Sequence, residues 1–254
     1  MAETAGVNME DLQRTGTLAE GTAQDLQAAP TLENYRFPTH RLKKVMADSS
    51  KEPLVLVSCG SFSPITFLHL RMFEMAADFA KYNTNFEVLG GYMSPVGDAY
   101  KKIGLARAHH RIEMCTRSTE EMSNWIMVDT FEPLHKEYLP TAVVLDHMDH
   151  EINEVLGGIE TADGERKKVR VALLAGADLI QTMSTPGVWA PSDLDHILGR
   201  YGAFIIERAG TETDEALQSL RKVSKQTKTI RMQPLTSYIV VGEEHRRNST
   251  TSTK

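Results

Sequence analysis

Pro53-Leu54-Val55-Leu56-Val57-Ser58-Cys59-Gly60 leads directly into Ser61-Phe62-Ser63-Pro64-Ile65-Thr66-Phe67-Leu68-His69. Leu54, Val55, Leu56 and Val57 form an apolar run without polar alternation, which predicts a strand buried on both faces, as in a parallel sheet. Gly60 closes the run. Without a Cβ it lets backbone approach a ligand closely, and a helix opening near Thr66 would turn free N–H groups and its positive dipole end toward an anion. Over residues 67–81, Leu68, Met72, Met75 and Phe79 recur at helical spacing. His69 then sits about one turn into the helix, within reach of the same anion. The same residues also suit a plain strand–helix turn in which Thr66 caps the helix and His69 is an ordinary surface histidine.

Downstream the alternation continues. Strands are predicted over 86–92, 125–130, 169–175 and 203–207, and helices over 106–122, 141–156, 193–201 and 214–225, with a polar connection over 157–168. Strands alternating with helices argue for an α/β fold: a Rossmann-like, doubly wound parallel sheet with helices on both faces. Residues 1–50 are rich in Glu, Gln, Thr, Ala and Gly and hold no β-branched run, so a disordered N-terminal arm is expected there. Glu3, Glu10, Asp11 and Glu20 count against a mitochondrial transit peptide. The folded unit is expected over 51–234, and 235–254 reads as a separate, atypical C-terminal tail with a Ser/Thr-rich end.

Hydrophobic residues make up 41% and charged residues 24% of the 254, ordinary for a soluble globular protein, so composition names no function. The net charge of -6 supplies no general basic field; a nucleic-acid partner is not expected, and any phosphate must be held by local groups. Cys59 and Cys115 are too few for a disulfide framework and no secretory leader precedes them, which predicts a reducing intracellular setting, nucleus or cytoplasm. No apolar run reaches about 18 residues, so no membrane span is expected. His109 and His110, and His147 with His150, fall on predicted helices and read as solvated, so no protein-held metal is expected. Cys59 reads as a small residue filling the strand end.

Ligands of open α/β sheets bind beyond the carboxyl ends of the strands. Three further blocks fall there. Ser94-Pro95-Val96-Gly97-Asp98-Ala99-Tyr100-Lys101-Lys102-Ile103-Gly104-Leu105 follows the second strand and by itself is a Pro/Gly turn with solvated lysines. Val128-Asp129-Thr130-Phe131-Glu132 leads to Tyr138 and Thr141, where a tyrosine at a helix start also suits half-buried packing. Leu173-Leu174-Ala175-Gly176-Ala177-Asp178-Leu179-Ile180 ends a strand and starts a helix ahead of Val188-Trp189; Asp178 is alternatively a helix cap and Trp189 a core anchor. Glu207-Arg208-Ala209-Gly210 ends another strand on the same side, where Arg208 also suits a surface ion pair.

In this order the blocks resemble the HxGH nucleotidylyltransferase superfamily and its eukaryotic nicotinamide/nicotinate-mononucleotide adenylyltransferase branch. The first block is similar to G-x-F-[DNS]-P-x-[TH]-x-x-H, with Leu68 where the superfamily has glycine, a departure that the pyridine-nucleotide branch shares. The resemblance implies that Gly60, Ser61, Phe62 and Thr66 shape a phosphate site and that His69 and Lys102 are the catalytic, charge-neutralising groups. It also implies that Tyr100 and Lys102 contact the mononucleotide and that Tyr138, where members often carry Trp, and Thr141 line the pyridine pocket. Gly176 would admit backbone closely, Asp178 would bond ribose hydroxyls, Val188-Trp189 would meet the pyridine ring, and Arg208 matches an R-A-G element.

The implied reaction joins NMN or NaMN to the AMP part of ATP, giving NAD or deamido-NAD and pyrophosphate. Mg²⁺ would be held mainly through the ATP phosphates. ATP and NMN or NaMN are the implied partners; a homo-oligomer is left open. A transferase of the same superfamily with another acceptor is the rival, and Trp189 and residues 94–105 count against it. The family's ATP-side element [ND]-[DE]-[IV]-S-S-T-K-[IV]-R has only an echo in Asn248-Ser249-Thr250-Thr251-Ser252-Thr253-Lys254. The alternative expectation is a truncated nucleotide-binding form with weak or no activity.

Overall fold

The computed structural model describes residues 31–207 and 238–241, the last four as backbone. Among them eight strands form: β1 (Glu52–Gly60), β2 (Phe86–Pro95), β3 (Ile126–Val128), the short β4 (Ile159–Glu160) and β5 (Arg166–Lys167), then β6 (Arg170–Gly176), β7 (Ala203–Ile206) and β8 (Tyr238–Val241). Five α-helices accompany them: α1 (Phe67–Asn83), α2 (Ala108–Met122), α3 (Thr141–His150), α4 (Ala177–Ser184) and α5 (Pro191–His196). α3 and α5 each run on into a wider π-type turn, Glu151–Val155 and Ile197–Tyr201.

Six strands build one parallel sheet in the order β3-β2-β1-β6-β7-β8, while β4 and β5 pair antiparallel inside the polar connection over 157–168. From β1 the chain winds outward through β2 to β3, returns to β6 beside β1, and winds out the other way. The sheet is therefore doubly wound, with its switch point between β1 and β6.

Both faces are buried, as the run from Leu54 requires. Along β1, Leu54 and Leu56 enter one core layer and Val55 and Val57 the other; on β6, Ala172 and Leu174 oppose Val171 and Leu173 in the same way. α1 and α2 cover the first layer, and α3, α4 and α5 the second. The buried stripe of α1 is Leu70, Phe73, Ala76 and Ala80, while Leu68 is 56% exposed, so the helix is rotated from the phase its sequence predicts. The reason is close approach at one point. A Cβ at Gly91 of β2 would lie 2.8 Å from the Phe73 ring and 2.9 Å from Trp125, so the helix settles where glycine leaves room.

Residues 31–50 overturn the expected disordered arm over that part of it. Leu42 and Met46 are buried, Lys43 N donates to Leu89 O at 3.0 Å and Met46 N to Glu160 O at 2.8 Å. Arg41 Nη1 donates to the carbonyls of Thr119 and Ile126 at 2.8 and 3.0 Å, and Phe37 stacks on Tyr92 at 5.0 Å. This strap bonds to backbone of β2, β4, α2 and β3, four separate elements, so it carries no periodicity to read. The tail boundary at 235 also fails, because β8 pairs with β7 from Ala203 opposite Tyr238 to Ile206 opposite Val241. Its Tyr-Ile-Val-Val sequence has the aromatic and β-branched character of a strand. Residues 1–30, 208–237 and 242–254, with the predicted helix over 214–225, lie outside the described residues. Among the described residues no helix is long and apolar enough to cross a membrane.

Candidate active site

β1 ends at Gly60 and the chain turns through Ser61, Phe62 and Ser63 into α1. Phe62 is buried with φ at 42°, a left-handed conformation that residues with a Cβ rarely adopt. Packing holds it there. Its ring lies edge-on to His69 at 5.2 Å and covers Gly60, where a Cβ would come within 3.2 Å of it. Thr66 does cap α1, and in doing so it orients His69: the Thr66 backbone N–H donates to His69 Nδ1 at 2.9 Å, and His69 N donates to Thr66 O at 3.0 Å. A ring nitrogen that accepts an N–H carries no proton, so neutral His69 holds its proton on Nε2. Partial burial holds the imidazole below its ordinary value, leaving a neutral Nε2–H donor near neutral pH.

The loop after β2 is tied to this turn. Val96 N donates to Gly60 O at 2.9 Å and Ala106 N to Ser63 Oγ at 3.1 Å. Tyr100 stacks on Tyr138 with ring centroids 5.7 Å apart and planes at 29°, and both rings are partly exposed. Lys102 is exposed on the same loop, its backbone N–H bonded to Tyr100 O at 2.8 Å. Beneath the loop Glu132 is buried and accepts the Ser94 hydroxyl at 3.4 Å. Burial pushes its carboxyl up to about 8 against the opposing pull of the Gly97 backbone, Ser94 and Arg111. The Cys59 thiol is pushed up by burial and by the nearby Glu132 and Asp129 carboxyls, so it is a packed thiol with no thiolate character.

Across the switch point β6 ends at Gly176. A Cβ there would meet only Met72 of α1, at 3.7 Å, an ordinary contact, so the protein's own packing does not demand glycine at that position. Asp178 is exposed in the first turn of α4. Thr141, half-buried, opens α3. Val188 is exposed, whereas Trp189 packs partly buried against the core with Nε1 donating to Thr182 Oγ1 at 3.1 Å. The structure thus gathers Gly60, Ser61, Phe62, Thr66 and His69 with the loop of Tyr100 and Lys102 and with Tyr138; Arg208 lies outside the described residues.

Three residues of this region escape sequence reasoning. Arg111 is fully buried, and the clue was its place in the stripe Ala108, Arg111, Cys115, Thr119, which is the inward face of α2. Tyr35 lies in the strap and reaches Asp129 with no local signal. His147 corrects the solvated reading: it stacks on Phe131 at 3.5 Å and 7°, and burial, with His150 and His135, pushes it down to about 4. Among the described residues no three His, Cys, Asp or Glu side chains gather to hold a metal ion. The β1–α1 turn offers hydrogen-bond donors, which fit phosphate oxygens and are not ligands for a cation.

The cytidylyltransferase-like family model matches residues 57–254. A Saccharomyces cerevisiae protein named nicotinamide/nicotinic acid mononucleotide adenylyltransferase 2 is 52% identical over 221 residues, 83% of this chain and 56% of the yeast protein. The Arabidopsis thaliana nicotinamide/nicotinic acid mononucleotide adenylyltransferase is 40% identical over 181 residues, 71% of this chain and 73% of the plant protein. A Bos taurus protein named nicotinamide/nicotinic acid mononucleotide adenylyltransferase 1 is 36% identical over 198 residues, covering 67% and 70% of the two chains. The chain spans about half the length of the fungal relatives it matches.

Proposed function

The chain belongs to the cytidylyltransferase-like family, and we propose that it transfers the adenylyl group of ATP to a pyridine mononucleotide, NMN or NaMN, giving NAD or deamido-NAD and pyrophosphate. The attacking 5′-phosphate is already ionised, so the reaction needs no general base. It needs two anions brought into line and their charge offset. The observation that carries this reading is the bond from Val96 N to Gly60 O at 2.9 Å. It sets an anion-binding turn beside a loop whose Tyr100 stacks on Tyr138, a pair suited to a planar ring.

In this reading His69 Nε2–H and the α1 N-terminus stabilise charge on the α-phosphate, and Lys102 offsets repulsion between the two phosphates. Tyr138, Thr141, Val188 and Trp189 serve the pyridine ring, and Gly176 and Asp178 the ribose. Mg²⁺, carried on ATP oxygens and water, supplies further charge neutralisation. The names of the yeast, plant and cattle relatives support a pyridine mononucleotide as acceptor. Two free cysteines support an intracellular setting, nuclear or cytoplasmic.

An acceptor panel tests the proposal: pyrophosphate release is followed with ATP and Mg²⁺ plus NMN, NaMN or pantetheine phosphate, and with CTP plus choline phosphate. Release with the pyridine mononucleotides is expected. Release with one of the other acceptors, and none with NMN or NaMN, overturns it.

A further inference from the structure

Arg111 has no exposed surface, and its guanidinium pairs with Asp98 only at ion-pair distance: Nη2 lies 3.6 Å from Oδ1 of that half-exposed carboxylate, beyond hydrogen-bond reach. The donors go instead to three carbonyls: Nε to Ala106 O at 2.7 Å, Nη1 to Ser61 O at 3.0 Å and Nη2 to Val96 O at 2.6 Å. Withdrawing a cation from water is costly unless its donors are met, so this fork tolerates little movement of the three acceptors. Ser61 is on the turn after β1, Val96 on the loop after β2, and Ala106 on the approach to α2. The Val96–Gly60 and Ala106–Ser63 bonds tie the same two segments at their edges.

We infer that Arg111 is a positioning residue that fixes the spacing between the ATP-phosphate turn and the mononucleotide loop. The catalytic half of this inference rests on the adenylyl-transfer reading; the structural half rests on the geometry alone. Each loop makes its own substrate contacts, so loosening the clamp leaves binding of each substrate largely intact. What it loses is the alignment of two separately held anions, on which transfer depends steeply. A lysine keeps the charge but lacks the planar fork, so it cannot satisfy three carbonyls spread around one plane.

The test compares Arg111→Lys, and Ser63→Ala as a milder cut of a parallel tie, with the parent 254-residue chain by two readouts. In amide hydrogen exchange, segments 60–64 and 95–106 are expected to exchange faster together in Arg111→Lys, by roughly tenfold or more, while β6 and β7 keep the parent rates. In turnover with ATP, Mg²⁺ and NMN, kcat is expected to fall by roughly 10- to 100-fold, with both KM values within about threefold of the parent. Ser63→Ala is expected to shift both readouts the same way by less, and it decides the matter if Arg111→Lys does not fold. Unchanged exchange in the two segments, or loosened segments with parental kcat, overturns the clamp. A parent that forms no dinucleotide overturns the adenylyl-transfer reading instead, and the exchange readout then decides the clamp alone.

Discussion

Tyr35 donates its hydroxyl to Asp129 Oδ1 over 2.7 Å, joining residues 94 positions apart. The Tyr35 hydroxyl oxygen also lies 2.9 Å from His147 Nε2. One hydroxyl carries one proton, so with the bond to Asp129 made, the second contact requires His147 to donate from Nε2. The order His147, Tyr35, Asp129 follows, and the strap completes a buried polar chain that the sheet leaves open. Burial pushes Asp129 up to about 6, and the Tyr35 hydroxyl and the Phe131 and Thr130 backbone pull it back down.

Tyr35→Phe keeps the ring and removes the donor. Loss of a hydrogen bond to a buried carboxylate is expected to destabilise the chain by about 1–3 kcal/mol in urea unfolding, more at pH above about 6, where Asp129 is ionised, than below it. An unchanged urea midpoint on both sides of that pH would mean that the strap owes nothing to this bond.

Glu132 gives stability a pH dependence of defined sign. Its carboxyl is raised from 4.5 to about 8 by burial, so between those values the folded chain keeps a proton that the unfolded chain has lost. The stabilisation is full below the lower value and is lost as pH rises toward the upper one. Asp129, raised from 3.8 to about 6, acts in the same direction over a lower window; His147, lowered from 6.5 to about 4, costs stability as pH falls through its window. Glu132→Gln should therefore flatten the fall in urea midpoint between pH of about 6 and 8, above the Asp129 window and below the folded value of Glu132. A slope equal to that of the parent would assign the effect to other groups.

His69→Ala should lower kcat for dinucleotide formation by a factor on the order of 10² to 10³, the usual loss for one donor to developing transition-state charge. His69→Gln, which restores an N–H donor, should recover part of it. Near-parental kcat in the alanine variant would leave His69 with only its capping bond to Thr66.

Much of this site is visible in the order of residues because one local rule decides each piece. Leu54, Val55, Leu56 and Val57 announce a strand covered on both sides, and Gly60 announces a turn where backbone can come close to a ligand; that the Phe62 ring packs over Gly60 shows only in the structure. The helix and strand alternation gives the doubly wound sheet. Arg111 is visible only in part: its spacing with Ala108, Cys115 and Thr119 puts it on the inward face of α2, but its role shows only when three carbonyl partners come together from separate loops. The strap is not visible for a similar reason: its apolar anchors Leu42 and Met46 have no period, and its partners are far away in the chain. The phase of α1 depends on Gly91, a residue of another element.

Trp189→Ala should raise KM for NMN by roughly 5- to 150-fold, the range set by an aromatic stacking contact of about 1–3 kcal/mol, and raise KM for ATP far less. The indole already spends its N–H on Thr182, so its face is what it offers a ligand. A larger effect on ATP would reverse the assignment of the two halves of the site.

The central claim concerns which phosphorus is attacked, and isotopic label reads it directly. The chain is incubated with Mg²⁺, NMN or NaMN, and ATP labelled either at the α- or at the γ-phosphorus. Adenylyl transfer predicts α label in the dinucleotide and γ label in pyrophosphate, in equal amounts. Label from the γ position on the mononucleotide, or no labelled dinucleotide with either acceptor, would contradict the account.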